Sequence, residues 1–366
     1  MVKIFNSIHV KKTRLCFKYS LVFFLLAFFA ACKNGENKLS IVYENQFPVG
    51  IQIPKGLIKG TINDLKVIDQ NANTKTSILG VFKDQDSFIL FKPLIPLTFG
   101  FQYQIYDNEK LIGSIQVPAP KNNSPEIVKI YPDVDTIPEN LLKIYIEFSK
   151  PMRTGESLNY IALLAKKGDT MHNVFLNLQP ELWDTTGKVL TVWLDPGRVK
   201  RDLTLNQKLG NPLKTDQTYQ LVISQRWKDH QGLKLKTDYK KEFIAGERDD
   251  QIPNVNNWLI SQPIPDTRST LNINTKEYLD HYLLLESIEV LDGKGKKVKG
   301  KVIVNADDAW VFTPEQNWQK GIYQLKINNR LEDLAANNLN RVFDRDVRKN
   351  KQQNKKFTYL SFKAEH

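Results

Sequence analysis

Short runs of alternating apolar and polar residues, separated by proline and glycine, fill most of the chain from residue 39 onwards. Such runs predict half-buried antiparallel β-strands, because alternate side chains of a strand point to opposite faces of its sheet. Long amphipathic helical patterns are almost absent. The pattern therefore predicts an all-β protein of short strands packed as antiparallel β-sandwiches.

One strand–turn–strand unit occurs three times along the chain. In each copy an apolar strand runs into a proline, a turn follows, and a second strand begins at a tyrosine, which predicts two antiparallel strands joined by a turn. The first strands and their prolines occupy 88–93, 190–196 and 310–314, and the second strands occupy 103–105, 219–223 and 323–327. The repeat predicts three domains of one fold.

A polar turn rich in Asp, Asn or Gly follows each tyrosine-led strand and predicts a hairpin tip. In the second copy the strand after the tip is expected at 239–243. In the third copy it is expected at 341–343, with a last strand at 357–362. The turns themselves occupy 107–110, 228–233 and 332–339.

The strand pattern also places the domain boundaries. We expect domains at 39–117, 125–245 and 255–366, of which the first is the most divergent. The connecting segments 118–124 and 246–254 interrupt the strand pattern and are rich in proline or in charged residues.

The N-terminal residues have the composition of a secretory signal. Residues 1–20 carry five basic residues and no acid, and the apolar run 21–31 is too short to span a bilayer as a helix. Cys32 follows this run directly, and the segment 29–32 resembles the lipobox of bacterial lipoproteins. The resemblance implies removal of residues 1–31, acylation of Cys32 with fatty acids such as palmitate, and a lipidated tether at 32–38. Lys33 is not the acid that retains some lipoproteins at the inner membrane, so the resemblance favours the outer membrane of the cell envelope.

The second domain carries a further resemblance. Ile146–Met152 reads Ile-Glu-Phe-Ser-Lys-Pro-Met and follows the proline-flanked acidic turn Pro132–Pro138. This combination looks like the opening of a bacterial Ig-like domain of the SbsA type. The third domain keeps the back half of the pattern, with Ala336 in place of the glycine of its turn. The resemblance implies three tandem Ig-like antiparallel β-sandwich domains after a lipoprotein signal peptide, and it implies no activity.

Charge and cysteine content narrow the possible partners. The net charge of +12 falls to +7 without the leader, because 47 basic and 40 acidic residues remain. The lysines are scattered and lack an RNA-binding pattern, so we expect a solvated surface and no nucleic acid partner. Cys16 belongs to the leader and Cys32 to the lipid, so the mature chain is expected to have no disulfide.

Few polar residues occur in a catalytic spacing. The five histidines are far apart, with no paired metal ligands, no nucleophile elbow and no phosphate-binding glycine loop. We therefore expect no enzyme activity, no cofactor and no metal. A calcium site formed by Asp133, Asp135 and Glu139 is an alternative, although their spacing fits no known ligand loop.

A long insertion in the second domain, residues 197–211, is the best candidate for recognition, because long loops on rigid sandwiches often carry binding residues. Trp227 beside a hairpin tip is a second candidate. In the alternative interpretation Val199 and Leu203 cover an open sheet end and Trp227 packs on its own sheet. The candidate partner-binding residues are Arg198, Val199, Lys200, Arg201, Leu203, Leu205 and Trp227.

These features predict a non-enzymatic, lipid-anchored envelope protein that acts as a spacer or as an interaction or assembly element with an envelope protein partner. In that case, removal of 197–211 should abolish partner capture and leave thermal stability nearly unchanged. The alternative is a glycan-binding or adhesive surface protein, which predicts an exposed Trp183 or Trp227 in a groove.

Overall fold

The computed structural model describes residues 38–44, 47–71, 76–119, 124–166, 168–345 and 355–365. The predicted signal segment, Cys32, most of the predicted tether and residues 120–123 of the first connecting segment lie outside these ranges. The chain divides into two compact units, Met1–Pro120 and Lys121–His366. Each unit is built of mainly antiparallel sheets, which form three sandwiches over the described residues.

The first sandwich has a four-stranded sheet in the order β1-β2-β5-β4 and a three-stranded sheet in the order β3-β6-β7. Alternate residues of both sheets, such as Ile51, Phe91 and Ile105, share one buried core. Two 3₁₀ turns, Lys55–Leu57 and Ile62–Asp64, lie between β2 and β3. The strands are β1 Ser40–Glu44, β2 Phe47–Pro54, β3 Leu65–Asp69, β4 Gly80–Asp84, β5 Phe88–Pro93, β6 Gln102–Asp107 and β7 Lys110–Gln116.

The second sandwich packs a sheet in the order β12-β13-β10-β8 on a sheet in the order β11-β14-β15-β9, in which β9 and β15 are parallel. Its core includes Phe148, Leu190 and Leu221. A 3₁₀ turn, Ser157–Asn159, precedes β11, and helices α1 and α2 lie between β13 and β14. The elements are β8 Ile127–Tyr131, β9 Thr136–Pro138, β10 Lys143–Phe148, β11 Ile161–Ala165, β12 Leu182–Trp183, β13 Val189–Trp193, α1 Pro196–Val199, α2 Thr204–Leu209, β14 Thr218–Ile223 and β15 Tyr239–Gly246.

The third sandwich pairs a sheet in the order β16-β17-β20-β19 with a sheet in the order β18-β21-β22. Its core includes Trp310, Leu325 and Phe362. A 3₁₀ turn, Val255–Asn257, precedes β16. The elements are β16 Leu259–Ile260, β17 Leu271–Asn274, α3 His281–Ser287, β18 Ile288–Leu291, β19 Gly300–Ala306, β20 Ala309–Pro314, β21 Gly321–Asn328 and β22 Phe357–Ala364. The predicted all-β fold of tandem Ig-like sandwiches is confirmed.

The repeated unit of the sequence is the connection between the two sheets of each sandwich. The strand that ends near proline lies in one sheet and the tyrosine-led strand lies in the other, as β13 and β14 do. The prediction that these two strands are antiparallel neighbours is therefore wrong. Alternation of side chains defines which face of a strand is buried, but it does not say which strand is its neighbour.

The tyrosine of each repeat closes this connection with a hydrogen bond. Its hydroxyl oxygen accepts from a backbone N–H four or five residues upstream: Thr98 to Tyr103 at 2.7 Å, Lys214 to Tyr219 at 2.9 Å and Gln319 to Tyr323 at 3.0 Å. This is the tyrosine corner found in immunoglobulin folds, at the point where the chain changes sheet.

Hairpins follow the tyrosine strands in the first two sandwiches, where β6 pairs with β7 and β14 pairs with β15. These predictions are confirmed. In the third sandwich β21 pairs with β22, so the predicted last strand is confirmed. Residues 341–343 were expected to form a strand but make only an isolated bridge at Arg341. Phe343 in this segment packs against the core of the second sandwich, so the segment does not continue as a strand of the third.

Candidate functional site

The insertion of the second sandwich folds into α1 and α2 instead of an open loop. Asp195 accepts a hydrogen bond from the Gly197 N–H at 2.8 Å, and Pro196 occupies the first helical turn. Both features favour the start of a helix. The Asp195 carboxylate accepts from an N–H that has no partner within the helix, and proline has no N–H that would need such a partner. The local sequence therefore gives this connection a fixed geometry.

Arg198 holds the insertion together from the inside. Its side chain donates to backbone carbonyl oxygens of the insertion and of the preceding loop, and burial lowers the pKa of its guanidinium. Only 6% of the residue is exposed. The acceptors are His172, Asn173, Leu209, Gly210 and Asn211, at 3.0–3.4 Å. Arg198 therefore stabilises the insertion and is not available to a partner, so its assignment as a partner-binding residue is wrong.

The other side of the insertion contacts the third sandwich. Val199 is 1% exposed, and its carbonyl accepts from Arg248 at 3.2 Å. Arg201 pairs with Asp344 at 2.9 Å and with Asp250 at 3.0 Å, and Lys200 lies over the Phe343 ring. The expectation that Val199 forms part of an exposed recognition patch is wrong, because Val199 belongs to the core of the second sandwich.

Two other candidate residues of the insertion remain accessible. Leu203 is 45% exposed and Leu205 is half-buried. Leu209 at the end of α2 adds a further exposed apolar side chain, at 48%. The accessible apolar surface of the insertion is therefore on α2 and the residue before it.

Trp227 is fully buried, so its assignment as an exposed partner-binding residue is wrong. Its indole N–H donates to the Arg153 carbonyl at 3.1 Å, and its ring stacks on Tyr160. Trp183 packs edge-on against the same indole and is half-buried. The alternative interpretation of Trp227, packing on its own sheet, is the one the structure supports, and the glycan-binding hypothesis now depends on Trp183 alone.

A buried ionic group joins the second and third sandwiches. Lys143 of β10 lies between two carboxylates of the third sandwich, with its Nζ 2.5 Å from Asp280 Oδ2 and 2.8 Å from Glu332 Oε2. The Tyr145 hydroxyl donates to Asp280 Oδ2 at 2.7 Å. Burial lowers the pKa of Lys143, but the two carboxylates together outweigh it and raise the pKa above its ordinary value. Lys143 is therefore an ammonium in the resting protein.

An aromatic and histidine contact extends this junction. The ring of His281 stacks on Tyr131 with centroids 3.6 Å apart, and its Nδ1 lies 3.0 Å from Asp307 Oδ1. Asp307 also accepts from the backbone N–H of Asp133 at 3.1 Å. Burial is the main reason why the pKa of Tyr131 rises to about 12. The phenol keeps its proton at physiological pH.

The connecting segment 246–254 is part of the junction. The Asp249 carbonyl accepts from Asn140 at 2.8 Å and from Asn337 at 3.0 Å, so it links both sandwiches. Asn337 also donates to Asp333, whose pKa is raised by burial and by the charge of Asp249. Ala336, next in the same turn, belongs to the core of the second sandwich.

Sequence reasoning missed this junction. Lys143 and Tyr145 occupy ordinary strand positions, Asp280 caps the start of α3, where acids are common, and Glu332 forms a β-bridge with Asn338. The partners lie far apart in sequence, and no short-range pattern connects them. The one available signal was Ala336, which breaks the glycine pattern of its turn because its methyl group is buried against the neighbouring sandwich.

Ligand-binding features are few among the described residues. No group of His, Cys, Asp and Glu within the described ranges could hold a metal ion. Of the acids considered for calcium, Asp133 pairs with Lys129 and Lys241, and Glu139 accepts from Asn211 and Thr215. No helix in the part of the chain that the structure describes is long and apolar enough to span a bilayer.

The second sandwich has an open cleft of about 320 Å³ beside Leu164 and Tyr219, and two further clefts lie in the second and third sandwiches. The first, of about 110 Å³, lies beside Trp193 and Glu181 in the second sandwich, and is smaller than the roughly 300–1,000 Å³ usual for ligand pockets. The second, of about 740 Å³, is an open groove of the third sandwich bordered by Lys294, Lys297 and Lys320. Lys297 is already paired with Glu289 at 2.8 Å.

Comparisons with known proteins give weak similarities. No family model matches the chain, and no curated protein matches it. Among solved structures, the N-terminal part of the bacterial S-layer protein SbsC is 13% identical with a TM-score of 0.23, and the match covers 56% of this chain and 41% of that fragment. The I9–I11 tandem of titin is 11% identical with a TM-score of 0.23, covering 79% and 94%. The MG0-NIE-MG1 part of Escherichia coli alpha-2-macroglobulin is 9% identical with a TM-score of 0.23, covering 56% and 66%.

The match therefore spans less than half of the S-layer fragment. Because the TM-scores are this low, the fold assignment rests on the sheet topology and the tyrosine corners of the chain itself.

Proposed function

We propose that this chain is a non-enzymatic, lipid-anchored structural protein of a bacterial cell envelope, in which the second and third sandwiches act as one rigid arm. The observation that carries the proposal is the junction between these sandwiches. Lys143, Asp280 and Glu332 are mostly buried there, and the insertion reaches across to Asp344. Flexibly linked domains have small and polar interfaces, whereas a junction continuous with a hydrophobic core favours a fixed orientation.

Anchoring by lipid is supported by the sequence around Cys32. A basic segment, an apolar run and a cysteine directly after two alanines form the pattern on which acylation depends in bacterial lipoproteins. Two or three acyl chains would hold the protein stably, since one chain binds a membrane only marginally. Lys33 favours the outer membrane.

An envelope protein partner would contact the exposed part of the insertion. Leu203 and Leu209 are accessible there, next to residues that are fixed by Arg198. An apolar side chain on a rigid support loses little entropy on binding, which suits it to an interface. The partner-binding surface proposed here is therefore Leu203 and Leu209, in place of Arg198, Val199 and Trp227.

The test uses the full-length protein expressed in a Gram-negative bacterium grown with labelled palmitate. The wild-type protein should carry the label and fractionate with membranes, whereas Cys32→Ser should lose both properties. An unlabelled wild-type protein in the soluble fraction would refute the anchor.

The same membranes test the partner. After chemical cross-linking, a defined envelope protein should be captured by the wild type and lost with Leu203→Asp combined with Leu209→Asp. Lys208→Asp changes an exposed residue of the same helix and serves as the control. Equal capture by the double variant and the wild type would refute this surface.

A further inference from the structure

The buried ionic group differs from a simple salt bridge, because one amine, on Lys143, is paired with two carboxylates, on Asp280 and Glu332. The side chains of Lys143 and Asp280 are only 10% and 3% exposed, and that of Glu332 is 25% exposed. One amine therefore faces two carboxyl groups in a site from which water is largely excluded. Tyr131, Tyr145 and His281 surround the same small space.

The two oxygens of Asp280 have different surroundings. Oδ1 accepts from the backbone N–H of Leu283 at 3.0 Å. Oδ2 lies 2.5 Å from the Lys143 amine and 2.7 Å from the Tyr145 hydroxyl, which is farther from Oδ1, at 3.0 Å. A donor fixed on Oδ1 stabilises negative charge that develops there when a nucleophile attacks the carbonyl carbon. The amine is on the side of the other oxygen.

We propose that Lys143 and Asp280 form an intramolecular amide bond that joins the second and third sandwiches covalently. Lys143 Nζ forms a bond to Asp280 Cγ, and the bond from Cγ to Oδ2 breaks. The ammonium and the carboxylate together lose one water: the nitrogen gives up two of its three protons, and both leave with Oδ2. The reaction needs no oxidant, reductant or cofactor.

Glu332 supplies the proton transfer that this step needs. Because Lys143 rests as an ammonium, one proton must leave before the nitrogen can attack, and Glu332 Oε2 lies 2.8 Å from Nζ. A carboxylate within hydrogen-bond distance of the nucleophile can take this proton as a general base and later give a proton to the departing oxygen. Glu332 ends as it began, a carboxylate.

The surroundings favour the amide product. Two opposite charges in a dry site carry a desolvation cost, which amide formation removes together with the charges themselves. Holding the reacting groups in contact replaces a bimolecular encounter by an intramolecular one. In the product the amide N–H would face Glu332, and the carbonyl oxygen would keep the Leu283 N–H and could accept the Tyr145 hydroxyl, which is 3.0 Å from Oδ1. No polar atom of the pair would lose its partner.

The test is a peptide map of the full-length protein purified from membranes, denatured and digested with trypsin. An amide at Lys143 blocks cleavage there, so peptide 130–153 should remain intact and be joined to peptide 277–294, with a mass one water below the sum of the two. Cleavage at Lys143 into peptides 130–143 and 144–153, with a free peptide 277–294, would overturn the proposal. The wild-type map decides the matter even where a variant fails to fold.

Variants test the assigned roles. Lys143→Arg keeps the charge but has no amine that can form this amide, and should give no joined peptide. Glu332→Gln keeps the size of the side chain and should reduce the joined fraction at least tenfold in freshly folded protein. Asp280→Asn should still join, but with loss of ammonia instead of water. A joined peptide of unchanged yield in Glu332→Gln would contradict the role of Glu332. The cross-link is independent of the proposed envelope role, and its absence would leave that role standing.

Discussion

A tyrosine near the start of β6, β14 and β21 occupies the same position in all three sandwiches. Each packs its ring in the core and uses its hydroxyl at a backbone N–H of the preceding connection. A buried N–H without an acceptor is costly, so this one hydrogen bond fixes the path of the chain between two sheets. The tyrosine therefore recurs in the sequence because each connection between sheets needs an acceptor for this backbone N–H.

We expect Tyr219→Phe to lower the free energy of unfolding by about 1 kcal/mol, because the Lys214 N–H loses its acceptor while the ring stays packed. Urea denaturation followed by tryptophan fluorescence measures the change. Tyr359→Phe removes a hydroxyl from a side chain that is 51% exposed and should have almost no effect. Equal effects of the two variants would contradict the role of the tyrosine corner.

Ala336 has a strained backbone conformation in its own turn and also packs its methyl group into the core of the second sandwich. Its φ of 64° lies in the left-handed region, where glycine is normally preferred, and Gly232 has a φ of 87° in the matching turn of the second sandwich. The strain of a Cβ at this angle is about 1–2 kcal/mol. Burial of the methyl group against the second sandwich offsets part of that cost. The departure from the repeat pattern thus marks a contact between sandwiches.

At the scale of elements, the insertion of the second sandwich is where the structure differs most from the prediction made from the sequence. Its length and its apolar residues indicated a recognition loop, but the turn between α1 and α2 instead contacts the third sandwich, where Arg201 pairs with Asp344. We now expect that removal of the insertion lowers stability, in contrast to the expectation from the sequence.

Arg198→Ala should lower the free energy of unfolding by about 2–4 kcal/mol, because the substitution leaves several partly buried carbonyl oxygens without their donor. Thermal unfolding followed by circular dichroism tests this. Lys208→Ala, at an exposed position of α2, is the matched control and should change little. A midpoint for Arg198→Ala within error of the control would show that the insertion does not depend on Arg198.

Most strands could be predicted from the sequence, and their neighbours could not. Alternation in 219–223 and 357–362 identifies buried faces, and β14 and β22 lie there. The sheet to which β13 belongs depends on the tertiary packing of both sheets, which alternation does not encode. The burial of Trp227 has the same origin, because Phe148, Tyr160 and Trp183 come from other elements to enclose it.

At the scale of the whole molecule, the junction between the second and third sandwiches is the feature that joins residues 124–365 into one body. The buried group at Lys143, the network at Asp249 and the contact of Arg201 with Asp344 fix the second sandwich to the third at separate points. Separate points of attachment resist bending more than one contact does.

The most direct test of this rigidity is the distance between spin labels on the two sandwiches, measured by pulsed electron paramagnetic resonance. Labels at Lys240→Cys and Lys301→Cys occupy exposed positions on β15 and β19. We expect one narrow distance distribution, as narrow as that of a control pair placed within the third sandwich at Lys301→Cys and Lys363→Cys. A broad distribution, or several distances in exchange, would contradict the claim that the second and third sandwiches form one rigid arm.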